Sequence, residues 1–200
     1  TQIKNLSAVY KTIADEILPE LRRSRLILTT DLIGKSDEEI AALAKNNPAE
    51  LSVEELLYAA TLTNDANEKM AIYKKVAELF PNEYRAYNNM GMLYFAEGNV
   101  AEARRSYAKA LQIEPNNADV NYNAGIAALA ENDLKQAEQY LGKAAGTEGD
   151  LNAAMGTLYT MKGDYAAAKN AYGNKASNNA AVQQILNEDY AAARQTLAKV

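Results

Sequence analysis

A set of residues recurs along this chain at intervals of about 34 residues, and no other feature limits its fold so tightly. Gly91, Gly125 and Gly156 are each followed, one helix later, by a large side chain: Tyr107, Leu141 and Tyr172. Between them lie the turn pairs Gly98-Asn99, Asn132-Asp133 and Gly163-Asp164, and the small residues Ala103, Ala137 and Ala168. In 84–117, Tyr87, Met90, Tyr94 and Tyr107 fall at the three-to-four-residue spacing of a buried helix face. The pattern predicts paired antiparallel helices, with small residues where the helices approach closely and large ones filling the seam. Gly98 is suited to the left-handed conformation that ends a first helix, and Asn99 to capping the second. Pro115 then stops that second helix.

Placing residue 84 first in its unit puts Tyr87 fourth, Met90 and Gly91 seventh and eighth, Tyr94 eleventh and Ala103 twentieth. Tyr107, Ala110 and Pro115 then stand twenty-fourth, twenty-seventh and thirty-second. In this order the unit resembles the tetratricopeptide-repeat family, with Tyr in place of the usual Trp at the fourth place. The resemblance implies an all-α chain, a right-handed superhelix of antiparallel helix pairs. Approximate units are 50–83, 84–117, 118–148 and 149–178, with a partial unit 179–200, all within an array 36–200. Unit 50–83 is degenerate, since Leu57 and Lys69 replace the small residues, and its helices are expected to pack differently. Unit 118–148 is shorter than 84–117 and ends in Gly146, Thr147 and Glu148, which predicts a tighter connection to the next unit. Gly173 should fray the second helix of its unit, and the helix near Ala180 to Leu186 looks abbreviated. An apolar helix face near Val200 would still need a neighbour, so a further helix is expected beyond it.

Residues 1–35 do not follow the repeat. Ile3, Leu6, Tyr10, Ile13 and Ile17 mark an amphipathic helix ended near Pro19, and Leu26, Ile27, Leu28 and Thr29 read as a β-strand. This small helix-strand segment, with LRRSRLILTT, DLIGKSDEEI and LSVEELLYAATLT, resembles the end of an OmpA-like domain and its join to tetratricopeptide repeats in envelope proteins of Bacteroides-type bacteria. The resemblance implies a parent protein in the periplasm or associated with the outer membrane. The peptidoglycan-binding Asp and Arg of that family belong to a motif upstream of this segment, so neither is carried over. The absence of an initiator Met fits a piece of a longer protein whose targeting signal lies upstream. Ser36 before Asp37, Glu38 and Glu39, and Ser52 with Glu55, are helix-start signals.

The chain has no His, no Cys and no Trp, so it lacks the side chains that most often act as a neutral-pH base, a thiolate or a zinc ligand. No phosphate loop or nucleophile motif is present, and neither an enzyme nor a cofactor is expected. The net charge of -5 and pI near 5.0 argue against a nucleic-acid partner. No apolar run is long enough for a transmembrane segment.

The family resemblance implies a peptide-binding groove lined by the first helix of each unit. Its candidate residues are Arg85, Asn88, Asn89 and Met92, then Asp119, Tyr122, Asn123 and Ile126, then Thr157. Phe95, Leu129, Asp150, Ala153, Thr160 and Met161 stand at related places. Asn side chains both donate to and accept from a peptide backbone, and Tyr122 offers a broad face with a polar tip. The plain alternative is that Asn at the sixth place is a solvated helix residue and that Phe95 and Leu129 bury against neighbouring helices. The subclass that grips acidic C-termini needs basic groove residues, whereas Asp119, Tyr122, Asp150 and Ala153 stand in their places. Glu102, Arg104, Arg105 and Lys109 read as a solvated second-helix face. Arg22, Arg23 and Arg25 read as edge-strand charges or as a site for an acidic partner. Tyr87, Tyr94, Tyr107, Tyr159 and Tyr172 read as core.

The expected function is a non-catalytic scaffold that binds a protein or peptide partner of unspecified identity. The alternative is a structural spacer that links a cell-wall-anchoring domain to other modules and self-associates through its strand or last helix.

Overall fold

In a computed structural model, side-chain caps set where each helix of the array begins. The structure describes residues 34–173 and 177–200, together with residues 11 and 15. The chain divides into units 1–35 and 36–200, and the second is described by itself. The expected amino-terminal helix and strand, with Arg22, Arg23 and Arg25, lie outside the described residues. Among the described residues there are eleven α-helices, one 3-10 turn and no strand.

The first helix, α1 (Asp37–Asn46), starts at Ser36: the Glu39 N–H donates to Ser36 Oγ at 3.2 Å, and the Ser36 N–H donates to Glu39 Oε2 at 2.9 Å. After a 3-10 turn (Pro48–Glu50), the same reciprocal box between Ser52 and Glu55 opens α2 (Val53–Ala59). Thus Glu39 serves as a helix start, as its spacing from Ser36 predicts. Then come the pairs α2 and α3 (Ala66–Leu79), α4 (Tyr84–Ala96) and α5 (Val100–Ile113), and α6 (Ala118–Ala130) and α7 (Leu134–Leu141). The last pairs are α8 (Leu151–Met161) with α9 (Tyr165–Tyr172), and α10 (Asn178–Leu186) with α11 (Tyr190–Leu197).

Each second helix is capped by one Asp or Asn at the matching place. Asp65, Asn99, Asp133, Asp164 and Asp189 accept from backbone N–H groups two or three residues on. A cap of this kind contributes about 1 kcal/mol. The same residue closes the preceding helix in four of the pairs. The N–H of Asn99 reaches the Tyr94 carbonyl at 2.8 Å, and Asp133, Asp164 and Asp189 repeat this with Ala128, Tyr159 and Gln184. That bond needs a left-handed residue just before it, supplied by Gly98, Asn132, Gly163 and Glu188.

The interior of each pair is set by contact between a small and a large residue. A Cβ placed on Gly91 would lie 2.5 Å from the Tyr107 ring, one on Gly125 2.7 Å from Leu141, and one on Gly156 2.5 Å from Tyr172. Those distances leave no room for any side chain, so hydrogen at these positions fixes how closely the helices approach. Ala103, Ala110, Ala137 and Ala168 are fully buried on the facing helices.

Three departures from regularity have local causes. The first pair lacks the small residues, and α1 packs against α2 over a core of Ile40, Ala44, Leu51, Leu56, Val76 and Ala86, with Leu57 half-buried beside it. The connection after α7 is not tighter, contrary to the expectation from unit length. The shortening falls on the helix instead: α7 has 8 residues against 14 in α5, and 142–150 forms an extended connector. The second helix α9 ends at Tyr172, where Gly173 adopts φ 57 and ψ -134, a conformation that side chains other than hydrogen strongly disfavour.

Candidate functional site

The first helices of successive pairs pack on one another, α4 on α6, α6 on α8 and α8 on α10, whereas no two second helices share a contact of that size. A stack joined along one set of helices curves toward that set. The first-helix face is therefore the inner one, and it carries the groove positions expected from the sequence.

At its start, Arg85 is held by two carboxylates. It donates through Nη1 and Nη2 to Glu54 on α2 at 3.0 and 2.6 Å, and through Nε and Nη2 to Glu83 at 2.7 and 2.8 Å. These bonds hold the Glu83 and Glu54 carboxyls below their usual range and push the guanidinium up. Arg85 thus ties α2 to α4 through four hydrogen bonds. Asn89 stands near the phenol of Tyr73, whose proton is held more firmly because the ring is buried. Asn88 accepts from Asn123 Nδ2 at 3.0 Å, an amide pair that bridges α4 and α6. Beside it, Met92 is 49% exposed.

Farther along, the candidates are drawn into the long connector. Asp119 Oδ1 accepts from Thr147 Oγ1 at 2.6 Å and from the Glu148 N–H at 2.9 Å. The Tyr122 ring lies where a Cβ on Gly149 would be 2.4 Å away, and Ile126 packs against the core of Ala128, Leu141 and Leu158. Thr157 Oγ1 donates to the Ala153 carbonyl at 2.9 Å, accepts from Asn179 Nδ2 at 3.2 Å and lies 3.2 Å from the Tyr172 hydroxyl. The structure therefore brings Asn88 and Asn123 together and leaves Met92 open. Arg85 and Thr157 are instead ties between units, and Asp119 ties α6 to the connector that follows α7.

The tyrosines are more varied than a uniform core. Tyr107 and Tyr172 are buried, and burial pushes the Tyr107 phenol up. Tyr94 and Tyr159 are half-buried against the core, while the half-buried Tyr87 donates to the Pro81 carbonyl at 3.2 Å. On the second-helix face Arg105 pairs with Glu102 as its spacing predicts. Arg104 departs from the expected solvated row: it pairs with Glu131 and donates to Gln136 at 3.0 Å in the next unit.

Several residues outside the expected set belong to the same face. Tyr58 and Val182 stand at the ninth place of their units, in register with Met92, and both are exposed. The Tyr58 hydroxyl donates to Asp37 at 3.0 Å, which holds its proton more firmly. Counting back from the Asp65 and Asp189 caps would have found both. Asn121, at the fourth place where unit 84–117 has Tyr87, is 1% exposed and donates to the Pro115 and Asn117 carbonyls at 3.0 and 2.8 Å. Apart from the groove, a cavity of about 340 Å³ opens between α1 and α3, floored by Ala44, Ala59 and Ile72 and rimmed by Lys45, Thr63 and Glu68. Among the described residues no group of three or more His, Cys, Asp or Glu could hold a metal ion. Nor is any described helix long and apolar enough to cross a membrane.

Two family models described as tetratricopeptide repeat match the chain, over residues 94–161 and 72–105. Residues 72–161 are tetratricopeptide repeats. Solved structures extend the likeness to a tetratricopeptide-repeat superhelix. A tetratricopeptide repeat protein from Parabacteroides merdae is 18% identical with a TM-score of 0.68, covering 82% of this chain and 70% of its own. YrrB, described as a TPR protein with an unusual peptide-binding site, is 22% identical with a TM-score of 0.57, covering 82% and 91%. MamA is 18% identical with a TM-score of 0.58, covering 77% and 90%. No curated protein matches the chain in sequence.

Proposed function

We propose that this chain is a non-catalytic scaffold that binds a protein or peptide along the first-helix face of its tetratricopeptide repeats. The observation that carries this reading is the Asn88–Asn123 amide pair beside the exposed Met92, midway along that face. Such a surface supplies backbone-compatible hydrogen bonds next to apolar area, which is what an extended or helical segment uses to dock. That YrrB is described as having a peptide-binding site lends support to the same use here. The resemblance of residues 1–35 to the end of an OmpA-like domain supports a larger envelope protein as the parent, periplasmic or outer-membrane-associated. Capture from an envelope extract by the full chain and by its Met92→Lys variant tests the groove. The same partner should be lost from the variant, and equal capture by both would reject the assignment.

A spacer that self-associates is favoured by a different observation, the exposed apolar residues Val182, Ile185, Leu186, Tyr190 and Leu197 on α10 and α11. Light scattering tests it: a concentration-dependent dimer that disappears with Leu186→Glu supports this reading, and a monomer at all concentrations rejects it.

A further inference from the structure

From α4 to α10 the first-helix face is almost without charge, although the chain as a whole is 24% charged. The helices α8 (Leu151–Met161) and α10 (Asn178–Leu186) contain no Asp, Glu, Lys or Arg. In α4 the single charged residue is Arg85, and in α6 it is Asp119. Both are occupied within the protein, Arg85 by Glu54 and Glu83 and Asp119 by Thr147 and Glu148. At the ends of α6 and α8, Glu131 and Lys162 turn to Arg104 and Glu138 on second helices, which leaves Glu97 at the rim of α4. The contrast is with the second helices of the first two pairs, since α9 and α11 carry one charge each, Lys169 and Arg194. The helix α3 alone carries Glu68, Lys69, Lys74, Lys75 and Glu78, and α5 carries Glu102, Arg104, Arg105 and Lys109.

A charged side chain laid into such a face would lose water without meeting a counter-ion, a cost that an uncharged one avoids. What the face offers is amide groups and apolar atoms: the Asn88–Asn123 pair, exposed Met92 and Met161, and Val182 in register with Met92. We infer that the groove selects an uncharged peptide segment, with apolar residues interleaved with Asn, Gln, Ser or Thr, and holds it without ion pairs. This deepens the groove reading of the preceding subsection and rests on it. It also separates this chain from any groove that recognises an acidic terminus, because among the described residues the one cation within α4, α6, α8 and α10 is Arg85, which Glu54 and Glu83 hold.

The test is selection of a random displayed peptide library on the full chain, followed by titration of the synthetic winners. The winners should be depleted in Asp, Glu, Lys and Arg, and their affinity should change less than about two-fold between about 50 and about 500 mM NaCl. A single Asp or Lys placed within a winner should weaken it by about ten-fold or more. The Met92→Lys variant, checked for unchanged helix content and melting, should lose the neutral winners and gain salt-sensitive binding of their Asp-containing versions. If the winners carry charge, weaken about ten-fold with salt and still depend on Met92, the groove stands and its neutrality is overturned. If binding ignores Met92→Lys altogether, the groove itself is wrong. A library that yields no winner also counts against the inference.

Discussion

The pair 84–117 and the pair that contains α10 and α11 share one register and one set of caps, yet they hold their large residues in opposite ways. Tyr107 and Leu197 stand at the same place in their units, but Tyr107 is 2% exposed against Gly91 while Leu197 is 51% exposed. At the eighth place Gly91 admits the Tyr107 ring, whereas Ala181 already carries a Cβ. The turn differs too, since Gly98 takes a left-handed conformation at no steric cost and Glu188 takes it against its side chain. The repeat register thus specifies helices and turns in both pairs, but only close contact between matched small and large residues turns a pair into packed core.

The largest expected effect breaks this contrast at its centre. Tyr107→Ala should lower stability by about 3–5 kcal/mol, whereas Leu197→Ala should cost less than about 1 kcal/mol. Urea unfolding of both variants checks it, and equal losses would show that the two places are equivalent. Gly91→Ala forces a Cβ into the Tyr107 ring and should cost about 2 kcal/mol, read in the same way. Asn121→Ala leaves the Pro115 carbonyl without its buried partner and should cost about 1–3 kcal/mol. A loss below about 0.5 kcal/mol would mean that this amide is replaceable by water.

The remaining expectations are smaller. Glu188→Gly relieves a left-handed glutamate and should raise stability by about 1 kcal/mol, whereas Gly98→Ala should lower it by a similar amount. A lower melting temperature for Glu188→Gly would contradict the turn comparison. The smallest concerns Glu83, whose folded carboxyl is held low chiefly by hydrogen bonding to Arg85. A depressed folded value stabilises above the ordinary carboxylate range and is lost as pH falls through the folded value. Because Arg85 is partly exposed and screened, the contribution should stay below about 1 kcal/mol. Stability measured from about pH 6 down to about pH 3 should therefore fall slightly less for Arg85→Gln than for the unmodified chain.

What could be read from the sequence was whatever is local or strictly periodic. Gly91 with Tyr107, the cap at Asn99, the left-handed Gly98, the stop at Pro115 and the Ser52-Glu55 box all follow from spacing within one unit. The ties between units, and those to the connector, were hidden, because each joins residues whose separation no local period encodes. Arg85 looked like a groove residue until its reach to Glu54 placed it between α2 and α4. Asp119 looked open until the connector 142–150 folded onto it. The shortening of unit 118–148 was visible as a count, but where it fell depended on Asp119 and Tyr122 holding that connector in place. Met92 stayed 49% exposed although the Asn88 amide donates to its sulfur at 3.8 Å.

The most direct test of the groove is site-specific photocrosslinking to a peptide selected on the full chain, with the photoreactive residue placed at Met92 in one variant and at Arg105 in another. Met92 lies on the first-helix face and Arg105 is an exposed residue of the second helix of the same pair. Crosslinking at Met92 and none at Arg105 is the predicted result, and crosslinking at Arg105 alone would place the partner on the outer face and contradict the account.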